Sequence, residues 1–224
     1  MIDPLKLVLA AAVVVANGAL FIIAELWKRT GRAAPESTRK LVHIGAGVLA
    51  LPLPWIFATS LPVLVMAIFF TAVLLFTKRG GHLRSVHGVE RRSLGEIIYP
   101  AAIYLSFMLT VGQDHRELFP IPILALAFAD AVAGLAGIRY GRHIFEVFGQ
   151  KRSLEGSLAF LLTCTLTTLA VLSLGTDIAI GRALVIAAVV GITGAVLEAV
   201  SVYGSDNVTV PAGVAAVLLT MVQG

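Results

Sequence analysis

In the stretch LALAFADAVAGLAGIRYGRH, Leu124 to His143, a carboxylate stands inside an apolar run. Gly134, Gly137 and Gly141 follow Asp130, and Arg139 and Arg142 accompany them. An ionisable side chain inside a membrane-spanning helix is costly, and it marks a cavity or a partner. A carboxylate followed by glycines and arginines suits Mg2+ and a polyphosphate together, because backbone approaches phosphate closely where no side chain intervenes. Two structural alternatives stand beside this: Asp130 paired to a neighbouring arginine, and Gly137 with Gly141 as a small-xxx-small helix contact.

Other polar residues gather in the same way. In KRSLEGSLAF, Ser153 is a candidate N-cap with Glu155 in the first turn, while Lys151, Arg152 and Gly156 beside them make the same helix start an anion site. In YGSDNVTVPAG, Asp206 or Asn207 caps the next helix, and Pro211 lies in its first turns. Glu198 lies near the end of the preceding run. GVERRSLGEIIYP groups Glu90, Arg91, Arg92, Glu96 and Tyr99, and in TRKLVHIGAG His43 shares a helix face with Arg39. No P-loop, G-x-S-x-G or H-E-x-x-H motif is present. The single cysteine, Cys164, excludes an internal disulfide, and no Cys/His cluster has zinc spacing.

The elements that position these residues are membrane helices. Of the 224 residues, 58% are hydrophobic and 13% charged, and mean hydropathy is +0.94. A soluble domain carries roughly 25% charged residues. The chain therefore reads as a single integral membrane domain, 1–224, of the all-α polytopic class. Spans need about 20 apolar residues. Eight candidates are Leu5–Trp27, Leu41–Phe57, Leu61–Thr77, Ile97–Val111, Ile121–Ile138, Leu158–Leu174, Ile180–Val200 and Val208–Val222. The first is too long for a signal peptide and its positive flank follows it, so it is read as a retained anchor.

Most of the 17 Lys and Arg fall in three of the intervening loops; only Lys6, Arg116 and Arg182 lie near the opposite ends. Cytoplasmic loops attract Lys and Arg, which places these loops inside and both termini on the non-cytoplasmic side. The net charge of +4 thus reads as topology, not as nucleic-acid binding. Asp130 comes to lie roughly 12 Å below the cytoplasmic surface at ~1.5 Å per residue. Glu96, Glu155, Glu198, Asp206 and Asn207 map to the same side.

The motif DAVAGLAGIRYGRH followed by RSLEGS resembles the nucleotide-binding signature of the dolichol kinase and phytol kinase family of membrane lipid kinases. The matching positions are Asp130, Ala133, Gly137, Gly141, Ser153, Glu155 and Gly156. RKLVHI, RRSLGEIIYP and LEAVSVYGSDNVTVPAG resemble other blocks of the family, so the likeness runs from about Arg39 to Pro211. One departure is Arg152, with Lys151 before it, where the signature often has Lys before Ser/Thr; arginine still binds phosphate, and bidentately. Without the long N-terminal membrane region of eukaryotic dolichol kinases in these 224 residues, the resemblance implies a compact member. The chain looks more like the compact bacterial and plastid members.

The resemblance implies transfer of a γ-phosphate from CTP (or ATP) to an isoprenoid alcohol such as phytol, geranylgeraniol or another polyprenol. The expected setting is a bacterial inner membrane, with the site facing the cytoplasm and the oligomeric state open. Asp130, Glu96 and Glu198 are the candidate catalytic carboxylates, and Asp130 and Asp206 the candidate Mg2+ ligands. Ala133, Gly137, Arg139, Gly141, Lys151, Arg152, Ser153, Glu155 and Gly156 are expected at the nucleotide. His43, Arg91, Arg92 and Asn207 are expected at the substrate or its phosphate. The alternatives are CTP:phosphatidate cytidylyltransferase chemistry and a secondary transporter with Asp130 as its ion site.

Overall fold

A computed structural model describes residues 4–32, 34–87 and 94–223. Arg91 and Arg92 lie outside them. Helix α1 (Pro4–Arg29) ends in Lys28 and Arg29. Helix α2 (Pro35–Ala50) starts at a proline, whose missing N–H leaves no helix bond unmade, with Glu36 in the first turn. Pro52 and Pro54 stop it and leave a short α3 (Leu53–Ile56). Helices α4 (Ser60–Arg79), α5 (Arg84–His87) and α6 (Gly95–Thr110) follow.

A single helical stretch then runs through α7 (Pro120–Leu124), a π-helical turn (Ala125–Ala129) and α8 (Asp130–Tyr140). Strands β1 (Ile144–Val147) and β2 (Gln150–Ser153) pair antiparallel, Ile144 opposite Ser153. Phe148 and Gly149 join them with φ of 48° and 76°, the left-handed pair that a tight hairpin turn demands. Helix α9 (Leu154–Gly175) is capped by Ser153 Oγ, which accepts from Gly156 N–H at 3.1 Å. Helices α10 (Ile180–Val200) and α11 (Asp206–Gln223) complete the chain.

Seven stretches among the described residues are long and apolar enough to cross a membrane: Pro4–Arg29, Ser60–Arg79, Gly95–Gln113, Arg116–Tyr140, Leu154–Gly175, Ile180–Val200 and Asp206–Gln223. The fold is thus an all-α polytopic membrane protein with one small hairpin. The eighth expected span, Leu41–Phe57, is not one continuous helix: the prolines end α2 after 16 residues, roughly 24 Å at ~1.5 Å per residue, and the chain continues through α3 before α4.

Helices α8, α9, α10 and α11 pack in sequence, α11 continues onto α6, and α6 onto α4. Helix α2 lies against α1, α5 and the π turn. Phe160, Cys164, Val190 and Val214 fill the core of the first group, and Phe107 with Phe119 anchors the second. Cys164 is therefore a buried packing residue. Large apolar side chains cover the outside, Leu166, Leu174, Val15 and Phe76 among them, as a lipid-facing surface requires. The polar ends of α2, α4, α6, α8, α9, α10 and α11 all reach one cavity.

Candidate active site

That cavity encloses about 550 Å³. Asp130 sits in its wall at the first position of α8, directly after the π turn. Asp130 N–H reaches back five residues to Ala125 O, which is the π pattern. The carbonyl of Leu126 accepts instead from His43 Nε2–H at 2.9 Å. Lys40 Nζ donates to Asp130 Oδ2 at 3.0 Å and to Asp130 O at 2.9 Å. His43 Nε2 lies 3.7 Å from the same Oδ2. Oδ1 is left free of hydrogen bonds among the described residues. Tyr99 O–H donates to His43 O at 2.8 Å and its ring lies on the imidazole, centroids 4.2 Å apart. The carboxylate, its cation and the imidazole are therefore fixed by three helices.

Lys40 fits because position 134 has no side chain. A Cβ on Gly134 would stand 2.6 Å from Lys40 Nζ. One residue before Lys40, Arg39 donates to Glu36 at 2.6 and 3.2 Å. Burial pushes the Glu36 carboxyl up, but the Arg39 hydrogen bond and charge outweigh it and hold the group below its usual range.

Across the cavity, Arg152 is stretched between two helices. It donates to Glu198 Oε1 at 2.6 Å and to Ser201 O at 2.9 Å, with Asp206 Oδ2 at 3.7 Å. Its Nε is buried with no partner among the described residues. Glu198 is 5% exposed, so Arg152 is what balances its charge. Lys151, Ser153, Gly137 and Gly156 stand in the wall beside it. Gly137 lines the cavity, and it packs against Gly156 of α9, where a Cβ would lie 3.5 Å from Gly137 Cα; Gly141, the other half of the expected small-residue pair, faces Ser153 instead. A third pair, Lys78 and Glu96, closes the rim at 2.8 Å, with His87 Nδ1 3.5 Å from the same carboxylate.

The structure thus brings Asp130, Glu96, Glu198, Ala133, Gly137, Lys151, Arg152, Ser153, Gly156, Asp206 and Asn207 to one cavity. His43 adjoins it through Asp130. Three expected residues stand off its wall. Arg139 is nine positions after Asp130, and at ~100° per residue that is the opposite face of α8. There it is exposed and lies over the Tyr140 ring, 5.6 Å from the centroid. Gly141 ends α8 against Ser153. Glu155 turns outward to His143 at 2.7 Å. Sequence reasoning missed Lys40, Glu36, Lys78 and His87, and it read Gly134 for phosphate rather than for the room it leaves Lys40. Lys40 and His43 are three apart on α2 and so share a face; that spacing was the signal available for Lys40.

No group of three or more His, Cys, Asp and Glu poised around a metal is found among the described residues. Mg2+ in phosphoryl-transfer sites is held by one or two carboxylates together with phosphate oxygens. Asp130 and Asp206, which line one cavity with Arg152 and Lys151, fit that donor set.

A carboxylate held by a lysine, facing an arginine and a helix N-terminus, has the chemistry that a phosphorylated ligand requires. The chain is 36% identical over 200 residues to a phytol kinase from Synechocystis sp., covering 88% of this chain and 84% of that one. The chain belongs to the phytol kinase family. Membership makes it a membrane enzyme of the kinase class, a phosphotransferase with an alcohol acceptor. No protein-family model matches the chain, and no solved structure matches it. The membership agrees with the sequence likeness from Arg39 to Pro211 and disfavours the transporter.

Proposed function

We propose that the enzyme transfers the γ-phosphate of CTP to an isoprenoid alcohol, phytol or geranylgeraniol, at the cytoplasmic face of a bacterial inner membrane. One observation carries the reading: the Lys40–Asp130 pair and the Arg152 cluster face each other across one cavity at the polar end of a membrane bundle. A soluble nucleotide and an alcohol lying in the bilayer meet only at such a depth. The relative's name supports the phytyl acceptor, the family likeness supports CTP, and the Lys/Arg-rich loops support the cytoplasmic side.

Phosphoryl transfer needs position and charge neutralisation more than covalent help from protein. Lys151, Arg152 and the α9 N-terminus hold the polyphosphate, with Gly137 and Gly156 letting backbone approach it. Glu198 positions Arg152 and does not touch substrate. Asp130 Oδ1 accepts the hydroxyl proton as the alcohol oxygen bonds to the γ-phosphorus; the bond to the bridging oxygen breaks, and its electron pair leaves with CDP. Lys40 and His43 hold Asp130 for this. Mg2+, when bound, would supply phosphate charge neutralisation, with Asp130 and Asp206 as the carboxylates that would hold it. The γ-phosphate meets a site that excludes bulk water on the lipid side, which favours the alcohol over hydrolysis.

The test offers the purified enzyme CTP labelled at the γ- or the α-phosphate, with prenols and phosphatidate. Label passing from the γ position into an alcohol is expected. Label passing only from the α position into phosphatidate means nucleotidyl transfer and overturns the reading.

A further inference from the structure

Beside the polar cavity runs a second, apolar one, walled by α1, α2, α4 and α6. Arg39, Val86 and Glu96 line both, so the two share a mouth. His43, which lies 3.7 Å from the Asp130 carboxylate, is also in its wall. Below the mouth the lining is apolar apart from Tyr99, whose hydroxyl is spent on His43 O, and Asn17, whose Nδ2 donates to Val13 O at 2.9 Å. The far end is closed by Ala50, Leu53 and Val63, which belong to the Phe107 core.

Helix α2 runs the length of this slot, from Arg39 at the mouth to Ala50 at the end. At ~1.5 Å per residue that is roughly 16 Å, about half of the ~30 Å hydrocarbon core. The slot is thin, about 80 Å³, too narrow for a helix ~10 Å across or for the paired tails of a diacyl lipid. On its outer side Phe21 of α1 meets Phe70 of α4 edge-on, ring centroids 6.4 Å apart. Close packing joins α1 to α2, α3 and α5, and α4 to α6. The Phe21–Phe70 contact therefore lies on a seam between two helices that pack more closely on their other neighbours than on each other.

We propose that this slot takes the isoprenoid tail of the acceptor alcohol, entering through the Phe21–Phe70 seam. Its closed end limits the tail to about one leaflet in length. The proposal rests on the kinase reading above. The shared mouth sets the hydroxyl beside Asp130 while the single branched chain lies among Val42, Met66, Ala67 and Ile103. At about 80 Å³ the closed slot does not hold a whole twenty-carbon chain, so the seam stays parted around a bound tail; phytol and geranylgeraniol match the slot in length, and a long polyprenol reaches the wall at Leu53 and Val63 with most of its tail still outside.

The experiment measures kcat/KM on geraniol, farnesol, geranylgeraniol, phytol and a long polyprenol, for the wild type and for Ala67→Phe. Ala67 is buried partway down the slot. Each methylene withdrawn from apolar contact costs about 0.8 kcal/mol. Ala67→Phe is therefore expected to lower the geranylgeraniol-to-geraniol ratio by about 10-fold or more, and the wild type to discriminate against the polyprenol. Met66→Trp, at a partly buried and more adaptable position, gives the same reading if Ala67→Phe does not fold. A wild type that turns over the polyprenol as well as geranylgeraniol overturns the slot, as does an unchanged length profile in a folded variant. A wild type that labels no alcohol at all overturns the kinase reading and the slot together.

Discussion

Lys40 Nζ holds Asp130 at two points, 3.0 Å from Oδ2 and 2.9 Å from the backbone carbonyl. The two side chains come from helices 90 positions apart in sequence, and both are largely buried, 6% and 21% exposed. Removing one partner of a buried pair leaves an uncompensated charge. Lys40→Met is thus expected to cost about 3 kcal/mol in detergent unfolding and to abolish transfer. The double variant Lys40→Met with Asp130→Asn is expected to recover most of that stability and none of the activity. Additive losses in the unfolding midpoints of the two single variants would mean that the pair is not coupled.

Gly134→Ala tests the same contact from the other side. The added Cβ would stand 2.6 Å from Lys40 Nζ, so the lysine must move. Alanine raises helix propensity by about 1 kcal/mol over glycine, and the fold is expected to hold. A displacement on the scale of 1 Å costs on the order of 10²-fold in turnover. Steady-state kinetics on the folded variant, showing wild-type kcat, would contradict the role given to Lys40.

Arg152 and Glu198 form the second coupled pair, at 2.6 Å. Arg152→Gln leaves Glu198 buried without a cation, and unfolding is expected to come earlier by about 3 kcal/mol. Arg152→Lys keeps the charge but not the fork that reaches Glu198 and Ser201 O together. That variant is expected to raise the KM for CTP while leaving the KM for the alcohol near wild type. Equal changes in both would take Arg152 away from the nucleotide. A Glu198→Gln variant of near-normal kcat is consistent with a positioning role; complete loss with the fold intact would make Glu198 catalytic.

Ser153 joins the hairpin to α9 and accepts from Gly156 N–H. Ser153→Ala removes this cap, for about 1 kcal/mol. Ser153→Asp restores a cap but puts a negative charge where the polyphosphate is placed. The account expects the aspartate to keep stability and lose CTP binding, read by unfolding and by nucleotide competition. Stability and binding falling together in both variants would reduce Ser153 to a cap.

What the sequence makes legible is the part written in local spacing. Asp130, Ala133 and Gly137 lie within about one helix face of each other, and Arg152, Ser153 and Gly156 open a capped helix; all of these line the cavity. Lys40 was hidden because it reads as one more cation of a basic loop; the helix begins at Pro35, not Leu41, and so carries Lys40 inside. The π turn is hidden because ALAFA is generic apolar helix, and its consequence, a Leu126 carbonyl given to His43, is tertiary. The hairpin is hidden because four-residue strands have too few positions to show a period. Arg139 and Glu155 look alike in composition to the residues that do line the site, and only their angular position on the helix separates them.

The central claim is that phosphoryl transfer takes place at Asp130. Wild type and Asp130→Asn would be purified side by side and given γ-labelled CTP, Mg2+ and geranylgeraniol in a single-turnover assay, with unfolding midpoints measured on the same samples. The account predicts label in the wild-type alcohol, and a rate reduced by at least about 10³-fold in a folded Asp130→Asn, more than loss of general-base assistance alone at ~10²–10⁴ would require at its lower bound. Label transferred at the wild-type rate by folded Asp130→Asn would contradict it.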